Sequence, residues 1–228
     1  MTIIEPHHTR GDLDLHCDVV VVGSGAGGST VAAILAESGL DVVILEEGAY
    51  FGTRDYSANV PEMLSKLMRD GASTITIGKS PVPYLEGRCV GGTTVVNGGM
   101  CWRTPDRILN EWVETRGLES LSPERMESHF DAVERVVDAR YQDPGSDGGC
   151  NEMFRKGAET LGWELQRNKR NQVHCVGSNE CVTGCPSGAK RSTLTTWLPR
   201  FFSAGGRLYT HAQVQKILTN NGHAQGLS

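Results

Sequence analysis

Two glycine-rich segments and one cysteine-rich loop combine residue types and spacings that could carry chemistry. The glycine-rich segments read GSGAGGS at residues 23–29 and GRCVGGTTVVNGG at residues 87–99, and the loop reads HCVGSNECVTGC at residues 174–185. Glycines let a backbone come close to an anionic or flat ligand, and clustered thiols are soft ligands for iron or zinc. We therefore expect a ligand at the glycines and consider a metal at the loop.

The first segment has the spacing of a dinucleotide-binding turn. Gly23, Gly25 and Gly28 form G-x-G-x-x-G. The first glycine allows a tight turn, the second lets the backbone approach a pyrophosphate, and the third lets a helix pack closely on the preceding strand. The N-terminus of that helix offers N–H groups to the phosphates. The predicted cofactor-binding residues of this turn are Gly23, Ser24, Gly25, Ala26, Gly27 and Gly28.

The residues around this turn predict a βαβ unit. Residues 17–22 (CDVVVV) and 41–45 (DVVIL) are apolar runs typical of buried parallel strands. Between them, Val31, Ile34 and Leu35 share one helical face. This order of elements favours a dinucleotide and leaves NAD and FAD both open.

Two acidic residues follow the second predicted strand. Glu46 stands about 20 residues beyond the glycines, where a carboxylate can accept hydrogen bonds from both ribose hydroxyls of an adenosine and disfavours a 2′-phosphate. We interpret the neighbouring Glu47 as a solvated loop carboxylate.

The second glycine segment has two interpretations from its residues alone. Gly91 and Gly92, followed by Thr93, Thr94 and Asn97, make a loop with little side-chain bulk and several polar donors. Such a loop suits a backbone that lies against a flat or anionic ligand. It equally suits a tight turn at a sheet corner.

Taken together, the motifs resemble those of the glucose-methanol-choline (GMC) oxidoreductase family. Members carry an N-terminal GxGxxG, an L-E-x-G after the second strand, and a later GG[ST][ST]xxNG that touches a flavin. This chain reads GSGAGG, then LEEG at residues 45–48, then GGTTVVNG at residues 91–98. The resemblance continues through CWRTP at residues 101–105, GCPSGAKRSTLTTWLP at residues 184–199 and THAQVQKIL at residues 210–218.

The resemblance implies FAD as the cofactor and a role for each matched position. The glycines of the first motif would hold the pyrophosphate, Glu46 the ribose, and the backbone of Val214 the adenine. Some members attach FAD through a histidine before the asparagine of the second motif. Val96 stands there in this chain, so we expect non-covalent FAD. The residues expected near the isoalloxazine are Gly92, Thr93 and Asn97, and Gly91 and Gly98 of the same motif are also expected to bind the cofactor.

The expected fold class is α/β, a doubly wound Rossmann-like FAD-binding fold with the beginnings of a substrate-binding region, incomplete relative to the family. We assign residues 15–50, 86–100 and 185–228 to the FAD-binding domain. Residues 51–85 and 101–184 are expected to be helical and loop insertions on the substrate side.

Three elements outside the motifs are also predictable. Ser122 and Pro123 favour the start of an amphipathic helix that ends near Ala139. A second helical stripe, which we expect to pack in a core, consists of Ile108, Leu109, Trp112 and Val113. Asn221 and Gly222 predict a hairpin turn near residue 228.

The cysteine loop leaves three alternatives. Cys175, Cys181 and Cys185 resemble the ligands of a [3Fe-4S] cluster in a few multi-subunit GMC sugar dehydrogenases that pass electrons to a cytochrome. Zinc would need a fourth ligand, for which His174 is nearest. Inert thiols are the third and favoured alternative, so no metal-binding residue is assigned.

The bulk properties exclude some functions. The net charge is −5 and no basic run is present, which argues against a nucleic-acid surface. No apolar stretch approaches the roughly 18 residues needed for a membrane span, and the first residues do not read as a secretory signal, so we expect a cytoplasmic protein.

The expected function is an FAD-dependent oxidoreductase that oxidises the CH–OH group of an alcohol or sugar by hydride transfer to flavin N5. None of the seven histidines matches the family's catalytic position, so no catalytic residue is assigned. A second chain or a missing C-terminal part would supply the catalytic His and Asn. The alternatives are a non-catalytic FAD-binding or electron-transfer module and, less favoured, an NAD-dependent dehydrogenase.

Overall fold

The computed structural model describes residues 3–8, 11–142 and 144–228, which divide into two compact units. The first unit comprises Met1–Gly98, Glu180–Gly188 and Ser192–Ser228, and the second comprises Gly99–Asn179 and Ala189–Arg191. Residues 51–85 lie in the first unit. The functional division into FAD-binding and substrate-side regions stays a prediction.

The described residues form seven α-helices and eight strands, joined by loops and short 3₁₀ turns. The helices are α1 (Ala26–Glu37), α2 (Val60–Leu67), α3 (Thr93–Val96), α4 (Asp106–Arg116), α5 (Pro123–Val137), α6 (Gly149–Thr160) and α7 (Trp197–Ser203). The strands are β1 (Ile3–Ile4), β2 (Val19–Val22), β3 (Val42–Leu45), β4 (Ala139–Tyr141), β5 (Lys169–Asn171), β6 (Arg207–Tyr209), β7 (Ile217–Asn220) and β8 (His223–Leu227).

A parallel sheet in the order β1-β6-β3-β2 forms the centre of the first unit. Val19 pairs with Val42, and Ile44 of the central strand β3 pairs with Leu208 of β6. Val42 and Ile44 are buried because β3 has a strand on each side and α1 packs against it. The predicted βαβ unit is present as β2, α1 and β3 of this sheet, which confirms the α/β Rossmann-like fold.

The buried face of α1 differs from the expected one. Val31 and Ile34 are about half exposed, whereas the buried residues of this helix are small. The small residues let α1 approach the sheet and α7 closely, which larger side chains would prevent. The buried residues of α1 are Ser29, Ala32, Ala33 and Ala36.

The second unit contains α4, α5, α6 and the antiparallel pair β4 and β5. The predicted helix begins at Pro123 with the Ser122 hydroxyl accepting a hydrogen bond from the Arg125 N–H, which confirms the expected N-cap. Trp112 is 38% exposed, so its expected core packing is wrong. Leu109, from the same predicted stripe, is 1% exposed, so its expected core packing is confirmed.

The predicted hairpin is present in the first unit. Strands β7 and β8 pair antiparallel around Asn221 and Gly222, whose φ angles are 50° and 80°. Two successive positive φ values are the geometry that an Asn-Gly turn accepts. Among the described residues, no helix is both long and apolar enough to span a bilayer.

Candidate functional site

An open groove of about 430 Å³ lies in the first unit, at the carboxyl ends of β2 and β3. This edge of a parallel sheet is where doubly wound folds bind nucleotides. The lining residues are Val22, Gly23, Gly25, Leu45, Glu46, Glu47, Arg69, Glu86, Gly87, Gly92, Thr93, Ala212, Gln213 and Val214.

The first glycine segment shapes the floor of this groove. Gly23 has a φ of +87°, and a Cβ on Gly28 would lie 2.0 Å from the Gly23 carbonyl oxygen. The first turn of α1 therefore packs against the backbone of Gly23 at a distance that only a glycine at position 28 allows. Gly25 is the N-cap of α1 without a side-chain hydrogen bond, and a Cβ on it would meet nothing within 4 Å. The start of α1 therefore faces open space in which an anion can contact its N–H groups.

The Glu46 carboxylate is held rigidly at the groove wall. It is 5% exposed and accepts hydrogen bonds at Oε2 from the N–H and the hydroxyl of Ser24, at 2.9 and 2.6 Å. Its Oε1 accepts from the Gly48 N–H at 2.8 Å. A carboxylate has about four acceptor positions, so these three donors leave about one for a ligand hydroxyl.

Ser24 also joins the two glycine segments. Its hydroxyl oxygen accepts a hydrogen bond from the Gly91 N–H at 2.9 Å. The Thr193 hydroxyl lies 3.3 Å from the Ser24 carbonyl oxygen, and the Thr193 N–H donates to the Thr94 hydroxyl at 3.2 Å. Thr193 was missed by the sequence analysis, although it lies within the GCPSGAKRSTLTTWLP match. These bonds hold both glycine segments in one arrangement.

The second glycine segment is both a tight turn and part of the groove wall, so its two interpretations do not exclude each other. Gly92 has a φ of +53°, and a Cβ on it would lie 3.0 Å from the Gly25 Cα. A Cβ on Gly87 would lie 2.5 Å from the Gly92 carbonyl carbon. Thr93 begins the short helix α3 and lines the groove.

Glu47 is not the solvated carboxylate that the sequence analysis expected. Both terminal nitrogens of Arg69 donate to its carboxylate, and the Arg88 Nε lies 3.3 Å from its Oε2. Hydrogen bonds from Arg69 hold the pKa of Glu47 below its ordinary value. The charged partners come from loops about 22 and 41 residues away, which local sequence patterns do not reveal.

The same guanidinium binds a second carboxylate of the groove wall. Arg69 Nη2 lies 3.0 Å from Glu86 Oε1, and the Tyr84 hydroxyl donates to Glu86 Oε2 at 2.7 Å. These hydrogen bonds, from Arg69 first and Tyr84 second, lower the pKa of Glu86. In turn, the hydrogen bonds to Glu47 and Glu86 raise the pKa of Arg69, which therefore stays charged.

The groove brings together part of the predicted set. Val214 lines it in a segment whose Ala212 N–H donates to the Glu46 carbonyl at 2.8 Å. The predicted residues that line the groove are Gly23, Gly25, Glu46, Gly92, Thr93 and Val214. Those that do not line it are Ser24, Ala26, Gly27, Gly28, Gly91, Asn97 and Gly98. Lining residues that the sequence analysis did not assign include Glu47, Arg69, Glu86, Gly87 and Gln213.

The second unit holds a cavity of its own, of about 640 Å³. Arg103 lines this cavity and donates hydrogen bonds to Glu127, Asp131 and Glu134 of α5 at 2.6 to 2.9 Å. Arg103 and Lys169 lower the pKa of Glu134 to about 2. The lining residues are Cys101, Trp102, Arg103, Glu134, Tyr141, Gln166, Arg167 and Lys169.

The cysteine loop does not support a metal or cluster. Cys175, Cys181 and Cys185 form no disulfide. Over residues 3–8, 11–142 and 144–228, no group of three or more His, Cys, Asp or Glu side chains could hold a metal ion.

Known proteins resemble this chain in sequence. A family model described as GMC oxidoreductase matches residues 17–228. An uncharacterized GMC-type oxidoreductase, y4nJ of Sinorhizobium fredii, is 37% identical over 215 residues, which cover 94% of this chain and 42% of that protein. Long-chain-alcohol oxidase FAO1 of Arabidopsis thaliana is 34% identical, over 92% of this chain and 27% of that protein. The chain thus spans less than half the length of these relatives.

Solved structures share the fold. Pyridoxine 4-oxidase from Mesorbium loti superposes with a TM-score of 0.68 and 15% identity, over 93% of this chain and 45% of that one. An Aspergillus oryzae formate oxidase variant superposes with a TM-score of 0.64 and 15% identity, over 93% of this chain and 41% of that one. At this identity the likeness concerns the fold.

Proposed function

The chain belongs to the GMC oxidoreductase family, and from that premise we propose that it is the FAD-binding part of an enzyme that oxidises the CH–OH group of an alcohol or sugar. The observation that carries the proposal is the groove of the first unit. Both glycine segments, the carboxylate of Glu46 and the segment around Val214 contribute to this one groove. An NAD site would need only the first of these segments, so the shared groove favours FAD.

Different residues of the groove would contact different parts of FAD. The uncapped start of α1 at Gly25 would contact the pyrophosphate, and Glu46 would accept a hydrogen bond from the adenosine ribose. Gly92 and Thr93 would lie toward the flavin ring. When bound, the flavin supplies the hydride acceptor, while these residues supply position and charge.

We propose that the FAD is held without a covalent bond. Val96, at the position where a linking histidine would stand, is 5% exposed and has no nucleophilic atom. The absence of a nucleophilic atom at this position supports dissociable FAD.

The catalytic base is proposed to come from outside these residues. Neither cavity is lined by a histidine in the part of the chain that the structure describes. A second chain, or a further part of the same protein, would supply the base and its Asn or His partner. The same observation favours the second candidate, a non-catalytic FAD-binding or electron-transfer module. The cytoplasmic location stays a prediction.

A matched pair of glycine variants tests FAD binding. A Cβ at Gly25 or at Gly27 would meet nothing within 4 Å, so both substitutions should fold, but only Gly25 lines the groove. We expect Gly25→Ala to weaken FAD binding and Gly27→Ala to leave it unchanged. The measurement is flavin absorbance before and after acid precipitation, and flavin in the supernatant indicates non-covalent binding.

Three outcomes separate the candidates. Flavin that is bleached by an added alcohol or sugar supports the enzyme. Flavin that binds but is bleached only by dithionite supports the non-catalytic module. A folded wild-type protein that takes up no FAD contradicts both.

A further inference from the structure

The charges that line the groove are not suited to a dinucleotide unless one residue offsets them. Three carboxylates, those of Glu46, Glu47 and Glu86, line the groove against the single guanidinium of Arg69, a formal balance of −2 within the lining set. A pyrophosphate brings further negative charge into the same space. Like charges at such short range repel by amounts that matter for affinity.

Arg69 pairs with two of those carboxylates at once. It binds Glu47 through both terminal nitrogens and Glu86 through Nη2, and its side chain is 30% exposed. The remaining charged or titratable groups that face these carboxylates are Arg88, 3.3 Å from Glu47, and the Tyr84 hydroxyl on Glu86. Arg88 is not among the lining residues, so within the described lining set Arg69 alone carries positive charge.

The backbone holds Arg69 in this place at a cost. Its N–H donates to the Glu86 carbonyl at 2.9 Å, so backbone and side chain bind the same residue. The three residues that follow, Asp70, Gly71 and Ala72, have φ angles of 50°, 60° and 69°. Left-handed backbone costs about 1–2 kcal/mol for each non-glycine residue, and such strain collects at functional sites.

From these observations we propose that Arg69 is a positioning residue for the bound nucleotide, because it neutralises Glu47 and Glu86 and so lets the groove accept the diphosphate. The proposal rests on the proposed function, since it concerns the same groove and FAD as its ligand. It distinguishes Arg69 from a clamp that merely joins two loops.

The charge role and the clamp role make opposite predictions for the carboxylates. If Arg69 acts through charge, the double variant Glu47→Gln with Glu86→Gln leaves the guanidinium free for the phosphates and binds FAD at least as tightly as wild type. If Arg69 only joins the two loops, the double variant removes the same ion pairs by removing the carboxylates, and it weakens FAD binding as much as the loss of Arg69 does.

The experiment measures the dissociation constant of FAD, and of ADP, for the deflavinated whole protein by fluorescence and calorimetry. We expect Arg69→Met to raise the dissociation constants of both FAD and ADP about 10- to 100-fold, which is the effect of losing one charged hydrogen-bonding group. Arg69→Lys should retain most of the affinity, and the triple variant Arg69→Met with Glu47→Gln and Glu86→Gln should recover most of what Arg69→Met loses. Lys66→Met, which removes a cation of the exposed Glu62 pair outside the groove, is the matched control and should bind as wild type.

A pH series adds a readout that a structural role would not move. Without Arg69, Glu47 and Glu86 lose the hydrogen bonds that lower their pKa most, although Arg88 and Tyr84 remain, so both carboxylates protonate more readily as pH falls. Arg69→Met should therefore regain FAD affinity as pH falls from about 6 toward about 4, through the ordinary glutamate pKa near 4.3, whereas wild type, with its lowered pKa values, should change less. Thermal unfolding of each variant establishes that it is folded.

The contradicting results are distinct. Equal FAD affinity of wild type and Arg69→Met overturns this inference alone. So does a Glu47→Gln, Glu86→Gln variant as weak as Arg69→Met, or a triple variant that recovers nothing. A folded wild-type protein that binds neither FAD nor ADP overturns the proposed function and this inference with it.

Discussion

Four glycines are among the residues that line the groove of the first unit, whereas the cavity of the second unit is lined by no glycine and mainly by long charged and aromatic side chains. In the two glycine segments, hypothetical Cβ atoms on Gly28, Gly87 and Gly92 would lie 2.0 to 3.0 Å from other backbone atoms. In the cavity, Arg103 reaches three carboxylates that share one face of α5. Backbone contacts have no freedom to adjust, while ion pairs on a helix surface do.

The two arginine networks differ in the same way. Arg69 joins Glu47 and Glu86 from separate loops, and the pairing depends on the folded loops. Arg103 meets Glu127, Asp131 and Glu134, which any α-helix would place together at spacings of four and three. The Arg69 pairs therefore form only when the tertiary structure is in place, whereas the carboxylates that bind Arg103 come together as soon as α5 forms.

The largest expected effect is at Gly28. Its added Cβ in Gly28→Ala would lie 2.0 Å from the Gly23 carbonyl oxygen, and neither backbone can move without displacing α1. We expect the free energy of unfolding to fall by about 3 kcal/mol or more, measured by urea denaturation. Gly27→Ala, where a Cβ meets nothing, is the control. Equal stability of the two variants would contradict the inference that close backbone packing at Gly28 is needed for a stable fold.

A smaller effect is expected at Arg103, and it should depend on pH. The folded-state pKa of Glu134 is lowered to about 2, below the ordinary value near 4.3, so its ion pair stabilises the fold above that ordinary value and is lost as pH falls toward 2. Arg103→Met should cost about 1 kcal/mol at pH 7, because the pair is partly solvated, and less at pH 3. The measurement is thermal unfolding at both pH values. A cost that does not change with pH would point to packing against Phe130, whose ring lies 5.7 Å from the guanidinium, instead of charge.

The smallest effect sets the scale for the others. Lys156 and Glu152 form an exposed pair on α6 at 3.1 Å. Lys156→Met should lower the free energy of unfolding by only about 0.3–0.5 kcal/mol, and salt should abolish the difference. A loss as large as that of Arg103→Met would remove the distinction between the partly buried network and an ordinary surface pair.

Much of the fold was predictable because it depends on local patterns. The apolar runs around the first glycine segment, the Ser122 cap and the Asn221-Gly222 turn each specify backbone geometry within a few residues, and the structure confirms the strands, the helix and the hairpin. The exposure of Val31 and of Trp112 was not predictable in this way, since burial depends on which neighbours pack against a helix.

The candidate site shows the same limit. Glu46 and Gly25 were assigned from their spacing, and both line the groove. Thr193 and Arg69 reach the site from positions far along the chain, and no spacing rule connects Arg69 with Glu47.

By itself, then, the sequence determined the βαβ unit, its glycine turn and the family, because turn geometry and strand burial follow from residue types a few positions apart. Only the tertiary structure decided that Ser24 and Thr193 join the two glycine segments and that Glu47 is paired instead of solvated. The physical reason is range: φ preferences act within a turn, whereas hydrogen bonds and charges act between whichever groups the fold brings within a few ångströms.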